Sequence, residues 1–337
     1  MASLTHPHPR PVPEPAKGQP AAPPKKPNGL RGWPLVRKLL TLVFFGLVVW
    51  MLSKQAQGIE WAEVGSAMLR IPVGALLAGG AFALASYTLY ATFDLIGRYA
   101  TGHPLSVPQV MLVTAISYAF NLNLGALVGG FAFRFRLYSR LGLENDVITR
   151  VLSLSLITNW LGYLFLAGGL FLFQPLALPP DWKIGSEGLQ VLGGVLLAAA
   201  VAYLLLCGFA SKRSWTIRGH EITLPTWRMA LLQFALSCAN WMLIGGVVYM
   251  LLQQRIDYPA VLSVLLIAAV AGVITHVPAG LGVLEAVFVA LLSHRLARGE
   301  LVAGLLAYRA IYYLVPLALA AVAYLAVELK ARRRSSA

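Results

Sequence analysis

Long runs of apolar residues alternate with short polar segments along most of the chain. The apolar runs cover about residues 34–53, 72–97, 110–133, 150–174, 189–210, 229–252, 260–293 and 301–328. A helix of about 20 residues spans the roughly 30 Å hydrocarbon core of a bilayer, and most of these runs reach that length. The pattern therefore predicts an all-α polytopic membrane protein, because helices satisfy their own backbone hydrogen bonds in lipid.

The overall composition supports the same fold class. The 337 residues are 58% hydrophobic and 12% charged, whereas soluble domains carry about 25% charged residues. We expect one transmembrane domain over residues 31–330. The proline-rich segment 1–30 is predicted to be a disordered cytoplasmic tail, and residues 331–337 a basic cytoplasmic tail.

The net charge of +14 does not indicate a nucleic-acid partner. The basic residues lie between apolar runs and in the tails, where they set topology and attract anionic lipid. Cys207 and Cys238 lack CxxC spacing, so we predict no metal or other cofactor. Walker A, GxGxxG, HExxH and GxSxG motifs are absent from the sequence, and no polar segment is long enough for a catalytic domain. We therefore expect a protein that is not an enzyme.

The positions of the basic residues predict how the runs are oriented. Arginine and lysine are frequent in segments 134–150 and 211–228, and cytoplasmic loops carry an excess of these residues. Both segments lie in the cytoplasm if the run at 110–133 turns back within the membrane, and outside if it crosses. The sequence therefore predicts about six full spans and two re-entrant helical hairpins, at about 110–133 and 260–293. The hairpins enter from opposite faces as an inverted pair, and both termini are cytoplasmic.

Each predicted hairpin contains residues that interrupt a helix. Broken backbone at membrane depth is tolerated only where it is buried in protein or lines a wet cavity, and transporters build binding sites from such breaks. Small residues also permit close helix packing, which is the simpler interpretation of the GxxxG spacing in the first hairpin. The breaks are Asn121, Asn123, Gly125 and Gly129 in the first hairpin, and Pro278, Gly280 and Gly282 in the second.

Two charged residues in the last apolar runs are the main candidates for chemistry. Glu285 follows the second break, and Arg309 lies in the final run with Tyr312 and Tyr313 at i+3 and i+4. A guanidinium framed by phenols suits a phosphodiester, because arginine forms bidentate bonds with phosphate oxygens. The alternative is a structural Glu285–Arg309 pair that joins two elements. Both roles are compatible if a substrate competes for the pair.

Other polar residues within the apolar runs have less distinctive patterns. His276 precedes the second break, where a hydrogen bond to freed carbonyls is favoured over proton relay. Asp94 is expected to pair with Arg98 at i+4 or to reach the membrane interface. The Asn-Trp pairs at 159–160 and 240–241 are expected to join helices through hydrogen bonds.

Three arginines follow the first hairpin, and two roles are open for them. Arg134, Arg136 and Arg140 either anchor the topology or collect anionic headgroups at the cytoplasmic mouth.

Several longer motifs resemble one family of membrane proteins. They are YAFNLNLGALVGG (118–130), RLYSRLGL (136–143), TNWLGY (158–163), HVPAGLGVLEAVF (276–288) and LLAYRAIYYLVPL (305–317). These motifs resemble the UPF0104 group of bacterial inner-membrane proteins, over roughly residues 33–330. That group is similar to the transmembrane lipid-flipping domain of lysylphosphatidylglycerol synthase. The resemblance implies a multi-pass inner-membrane protein that translocates lipid, with Glu285, Arg309 and Arg134 as candidate headgroup contacts.

Two functions from different classes follow from these observations. The first is a flippase or scramblase-like transporter for an anionic phospholipid or a lipid-linked phosphate. Because the resemblance does not extend to the synthase's aminoacyl-transfer domain, plain anionic lipid is the expected substrate. The second is a lipid-binding accessory protein that partners a phospholipid synthase or glycosyltransferase and moves no lipid. The sequence does not define an oligomeric state.

Overall fold

The computed structural model describes residues 61–174, 176, 178, 185–210, 214–217, 220–275, 277 and 280–335. They belong to one compact unit, residues 50–337. The predictions made for the 1–30 tail, the 34–53 run, His276 and Pro278 lie outside the described residues.

The described chain is almost entirely helical. Its first half contains α1 (Trp61–Leu69), α2 (Val73–Ala91), α3 (Phe93–Thr101), α4 (Val107–Leu124), the π-helix π1 (Ala126–Ala132), α5 (Phe133–Arg140), α6 (Asn145–Phe173) and α7 (Ser186–Phe209). Its second half contains β1 (Ser214–Ile217), β2 (His220–Thr223), α8 (Trp227–Leu251), α9 (Tyr258–Thr275), α10 (Val283–Leu292), α11 (Arg298–Tyr308), the π-helix π2 (Arg309–Leu314) and α12 (Val315–Ser335). The strands β1 and β2 form a short antiparallel ribbon that the sequence pattern did not predict.

The apolar segments confirm the predicted fold class of a polytopic all-α membrane protein. Seven segments of the described chain are long and apolar enough to cross a membrane: Val73–Thr101, Val107–Leu124, Asn145–Phe173, Ser186–Phe209, Trp227–Leu251, Tyr258–Thr275 and Arg298–Val327. Large aliphatic side chains on these helices face outward, with Leu84 71% and Val191 69% exposed. Such faces are stable in contact with lipid chains rather than water.

Helices α2 and α8 pack against each other in antiparallel directions. The contacts pair Gly79 with Leu251 at one end, and the hydroxyl of Ser86 with the amide oxygen of Asn240, 2.7 Å apart, toward the other. Between them, a methyl group at Gly246 would lie 2.7 Å from the Phe82 ring. The small residue therefore sets how closely the helices approach.

The first predicted hairpin is a helical hairpin made of α4, π1 and α5. Its turn is at Gly125, whose φ of 83° and ψ of 167° lie in a region open essentially only to glycine. After the turn, π1 lies so close to α4 that a methyl group at Gly129 would be 2.1 Å from the Phe120 carbonyl oxygen. The Phe120 and Phe133 rings stack with centroids 4.0 Å apart, so the chain folds back along α4.

The second predicted hairpin is made of α9 and α10, which pack side by side. Its tip contains Gly280 and Gly282, with φ of 56° and 76°, in the left-handed conformation that favours glycine. At the other end of the hairpin, Asp257 and Arg295 form an ion pair. This pair holds the two ends of the hairpin together.

The two hairpins enter the bundle from opposite ends. The first follows the continuous span formed by α2 and α3, and the second follows α8. Because α2 and α8 are antiparallel, the chain leaves them at opposite ends of the bundle. This geometry agrees with an inverted pair of helix–hairpin–helix units. The depth and sidedness of the hairpins in a membrane, and the location of the termini, stay predictions.

Candidate functional site

The last long helix is interrupted at its centre by π2. Pro316 has no N–H to donate to the Tyr312 carbonyl one turn earlier, so the regular bonding pattern ends there. Side chains of other helices donate to carbonyl groups of π2. The Tyr87 hydroxyl donates to the Tyr312 carbonyl oxygen (3.1 Å), and the Asn123 amide donates to the Tyr313 carbonyl oxygen (3.2 Å). The break predicted in the first hairpin therefore contacts π2.

Arg309, the first residue of π2, binds the tip of the second hairpin. Its Nε and Nη2 donate to the two carboxylate oxygens of Glu285, the latter bond being 3.0 Å long. The same Nη2 donates to the Gly280 carbonyl oxygen at 2.9 Å. Arg309 is only 9% exposed. The predicted Glu285–Arg309 pair is thus present, and it fastens the tip of one hairpin to the helix that the other hairpin also contacts.

Tyr313, one of the two tyrosines expected beside Arg309, lies against its guanidinium. The Tyr313 ring centroid lies 5.4 Å from the guanidinium carbon, within cation–π range. The Tyr312 hydroxyl instead lies 2.7 Å from Ser86 Oγ and 2.9 Å from the Tyr118 hydroxyl.

A second buried ion pair joins the first hairpin to its neighbours. Arg134 Nη1 lies 3.4 Å from Asp94 Oδ1 and donates to Ser155 Oγ at 3.2 Å. The Tyr138 hydroxyl donates to Asp94 at 2.8 Å, and Arg134 also lies near the Tyr90 hydroxyl (3.4 Å). Asp94 is fully buried and Arg134 is nearly so.

This pair corrects one expectation. Asp94 was expected to pair with Arg98, but the Arg98 Nε donates to the Leu105 carbonyl oxygen at 2.6 Å. The reason is that α5, which is distant in sequence, presents a better-placed cation to the buried carboxylate. Arg134 is nearly buried, and both roles open for it stay predictions. Arg136 has a different neighbour from Arg134, because its guanidinium lies over the Tyr324 ring, 5.8 Å from the centroid.

A cluster of tyrosines occupies the space between the two ion pairs. The Tyr90 and Tyr118 rings stack at 3.6 Å, and the Tyr308 and Tyr312 rings at 5.4 Å. Sequence analysis missed Tyr87, Tyr90 and Tyr118. A usable pattern was present, because Tyr87, Tyr90 and Asp94 are spaced i, i+3 and i+7 and so share one helical face.

The remaining predicted residues have structural contacts. Asn240, assigned to helix joining, accepts from Ser86, and the Trp241 indole donates to the Asn159 carbonyl oxygen at 3.1 Å. A methyl group at Gly130 would lie 2.9 Å from the Asn121 side-chain oxygen, so this asparagine lies in the tight turn of the first hairpin. Across the described part of the chain, no three His, Cys, Asp or Glu residues are grouped as a metal site.

Comparison with known proteins places the chain among bacterial inner-membrane proteins. The model of the lysylphosphatidylglycerol synthase TM region matches residues 38–320. The chain is 45% identical to inner membrane protein YbhN of Escherichia coli over 302 residues, covering 89% of this chain and 95% of the relative. It is 28% identical to the uncharacterized protein slr0712 of Synechocystis over 312 residues, covering 90% and 97%. The chain therefore belongs to the lysylphosphatidylglycerol synthase TM region family, and it is a multi-pass protein of the bacterial inner membrane.

Proposed function

We propose that this protein moves an anionic phospholipid or lipid-linked phosphate between the leaflets of the membrane. The observation that carries the proposal is the Arg309–Glu285 pair, at a point that the tips of both hairpins contact. The second tip contacts Arg309 through Gly280, and the first contacts π2 through Asn123. A charged group at such a break is where secondary transporters bind their substrates.

The chemistry of Arg309 suits a phosphate group. Its guanidinium already binds a carboxylate in bidentate fashion, and a phosphodiester offers two oxygens in a similar arrangement. A lipid phosphate would therefore compete with Glu285 for the same donors. Because Glu285 lies just after the hairpin tip, this exchange would release the tip from π2 and couple substrate binding to movement of the hairpin.

The Arg134–Asp94 pair gives the first hairpin a similar arrangement. Arg134 lies in the returning arm of its hairpin, as Glu285 lies in the returning arm of the other. Each pairs with a residue of a neighbouring long helix. A headgroup passing between the hairpins would meet one guanidinium from each half, and the tyrosines between them offer hydroxyl groups in a mostly apolar interior.

A second candidate function is a lipid-binding accessory protein for a lipid-synthesising enzyme. The specific observation in its favour is the number of bonds that Arg309 already makes. It binds Glu285, the Gly280 carbonyl and the Tyr313 ring, as expected of a lock between two elements. Under this alternative, lipid binds at the surface of a rigid bundle.

Leaflet exchange in proteoliposomes distinguishes the two functions. Purified protein is placed in vesicles with fluorescently labelled phosphatidylglycerol or phosphatidylethanolamine, and dithionite bleaches the outer leaflet. We expect wild-type protein to expose the inner-leaflet phosphatidylglycerol and Arg309→Gln to abolish this. Arg150→Gln is the matched control, since Arg150 forms an exposed pair with Asp146 one turn away. Bound phosphatidylglycerol without exchange of any labelled lipid would support the accessory function instead.

A further inference from the structure

A separate cavity of about 390 Å³ lies where the C-terminal ends of α1 and α8 meet the N-terminal end of α11. Its lining has an apolar part and a polar part. Buried aliphatic side chains, among them Leu251 and Leu296, form an apolar floor. Polar side chains complete the lining: Arg70, Gln253, Arg255 and Glu300. A site that is apolar on one side and cationic on the other suits an anionic amphiphile.

Under the predicted topology, the cavity lies at the level of a membrane interface. Three of the apolar segments begin or end beside it: Trp227–Leu251 ends there, while Tyr258–Thr275 and Arg298–Val327 begin there. It is also at the base of the second hairpin, where Asp257 pairs with Arg295. Under the predicted topology this is the outer face, opposite to the arginine-rich end of the first hairpin.

The two arginines of the cavity keep donors for a further acceptor. Arg70 is held by Ser66, with Nε donating to the carbonyl oxygen (3.1 Å) and Nη2 to the hydroxyl (2.9 Å). Arg255 donates through Nη1 to Glu300. A guanidinium has five N–H donors, so each arginine has more donors than these bonds use. Arg70 has no acidic partner in the part of the chain that the structure describes, and the acid in the lining, Glu300, pairs with Arg255.

The backbone beside the cavity has an unusual conformation. Gln253 and Gln254 follow α8 with φ of 55° and 59°, which is uncommon for two successive residues other than glycine. The turn is fixed by hydrogen bonds from their amides to the Met250 and Tyr249 carbonyl oxygens, both 3.0 Å. Conformations of this kind persist where surrounding structure holds them, and they are found at ligand sites. Here the turn places Gln253 in the lining.

We propose that this cavity binds the phosphate group of an anionic lipid from the outer leaflet. Arg70 and Arg255 contact the phosphate oxygens, and the apolar floor accepts the glycerol and first methylene groups. The choice of a lipid rather than free phosphate as the ligand rests on the proposed function, because a translocated lipid needs a headgroup site in the second leaflet. Free phosphate shares the chemistry of the headgroup but makes no use of the floor.

Binding measurements on the full-length protein in maltoside detergent test the proposal. Isothermal titration calorimetry compares dihexanoyl phosphatidylglycerol, dihexanoyl phosphatidylcholine and inorganic phosphate. The double variant Arg70→Gln, Arg255→Gln changes exposed side chains, and we expect folding to be preserved because exposed ion pairs contribute little to stability. Arg298→Gln is the matched control, since Arg298 is exposed on the same end and does not line the cavity. Loss of two charged contacts should weaken phosphatidylglycerol binding about tenfold or more.

The outcomes distinguish a lipid phosphate from free phosphate, and they test the cavity site separately from the proposed lipid transport. Tighter binding of phosphatidylglycerol than of phosphate, lost in the double variant and kept in Arg298→Gln, supports the lipid site. If phosphatidylglycerol and phosphate bind equally well and the double variant binds neither, the ligand is a free anion and not a lipid. Unchanged phosphatidylglycerol binding in the double variant overturns the site, while leaflet exchange can still stand. If phosphatidylglycerol binds at the cavity but the wild-type protein exchanges no lipid between leaflets, the proposed function is overturned and the cavity site is kept.

Discussion

The side-chain amide of Asn123, at the tip of the first hairpin, donates to the backbone carbonyl of Tyr313 in π2 at 3.2 Å. This bond connects the first half of the protein to the helix that carries Arg309. The same amide donates to the Ala119 carbonyl oxygen at 2.8 Å, so the asparagine bridges two helices. Both hairpin tips thus contact one short segment, and movement of either tip alters the surroundings of the other.

Removal of this bridge should destabilise the protein. Asn123→Ala removes two part-buried hydrogen bonds, and a typical bond contributes roughly 0.5–1.5 kcal/mol to stability. We expect a lower melting temperature by intrinsic fluorescence in detergent. Asn145→Ala, at an exposed position, is the matched control and should leave the melting temperature near that of wild type. Equal melting temperatures for both variants would show that the bridge is not needed.

The Glu285–Arg309 pair should show coupled effects on stability and transport. Glu285→Gln leaves Arg309 as an uncompensated buried charge, which costs about 3 kcal/mol or more. Adding Arg309→Gln should restore much of that stability, because the remaining charge is gone. Leaflet exchange should stay absent in the double variant, since glutamine provides no bidentate cation for a phosphate. Thermal unfolding and leaflet exchange on both single variants and the double variant form the test.

The comparison of stability with transport distinguishes two roles of the pair. Recovery of both properties in the double variant would show that the pair is structural and that Arg309 does not bind substrate. Recovery of neither would indicate that its hydrogen bonds shape the hairpin tip beyond charge compensation.

Close packing in the first hairpin predicts a contrast between two glycines. In Gly129→Ala the new methyl group would lie 2.1 Å from the Phe120 carbonyl oxygen, so the backbone must move at a cost of about 1–3 kcal/mol. Gly80→Ala, in α2, meets no atom within 4 Å and should be neutral or stabilising by up to about 1 kcal/mol. Thermal unfolding of the two variants measures the difference. Similar stability of both would mean that π1 does not pack against α4 as described.

Stability should depend on pH through His103, which lies between the spans and is 6% exposed. Burial lowers the pKa of its imidazole, and the charge of Arg98 adds to the effect. The unfolded chain, with a pKa near 6.5, therefore binds more protons than the folded protein at mildly acidic pH. The contribution to stability is complete above about pH 6.5 and is lost as the pH falls through the lower folded value.

Unfolding measured between about pH 5 and pH 8 tests this dependence. His103→Gln should flatten the acidic part of the profile, while His294→Gln, which replaces an exposed imidazole, controls for the loss of a histidine. The assignment to His103 is wrong if its variant keeps the full acid sensitivity of wild type.

Cysteine labelling tests the predicted topology. After replacement of Cys207 and Cys238, single cysteines at Ser139 and Ser214 should resist a membrane-impermeant maleimide added to intact cells, because both basic segments are expected in the cytoplasm. A cysteine at Arg298 is the positive control, since that end is expected outside. Ready labelling at Ser139 or Ser214 would reject the re-entrant arrangement.

The local elements were determined by the sequence itself. Apolar runs fix where helices form in a membrane, since only helices pair their own backbone groups there, and observed bounds such as Ser186–Phe209 lie close to the predicted 189–210. Gly125, Gly280 and Gly282 marked the turns of the hairpins because their backbone conformations are accessible mainly to glycine. Scarcity of charge within the runs made Glu285 and Arg309 conspicuous, and the structure shows them paired.

The partners of the other polar residues were decided only by the tertiary structure. Asp94 could pair with Arg98 on its own helix, but it pairs with Arg134, because α3 and α5 both pack against α6, which brings that cation into the buried space. The Tyr312 hydroxyl likewise contacts Ser86 and Tyr118, and the carbonyls of π2 accept hydrogen bonds from Tyr87 and Asn123, all in distant elements. Sequence periodicity describes one helix at a time, whereas the contacts between helices depend on how all of them pack.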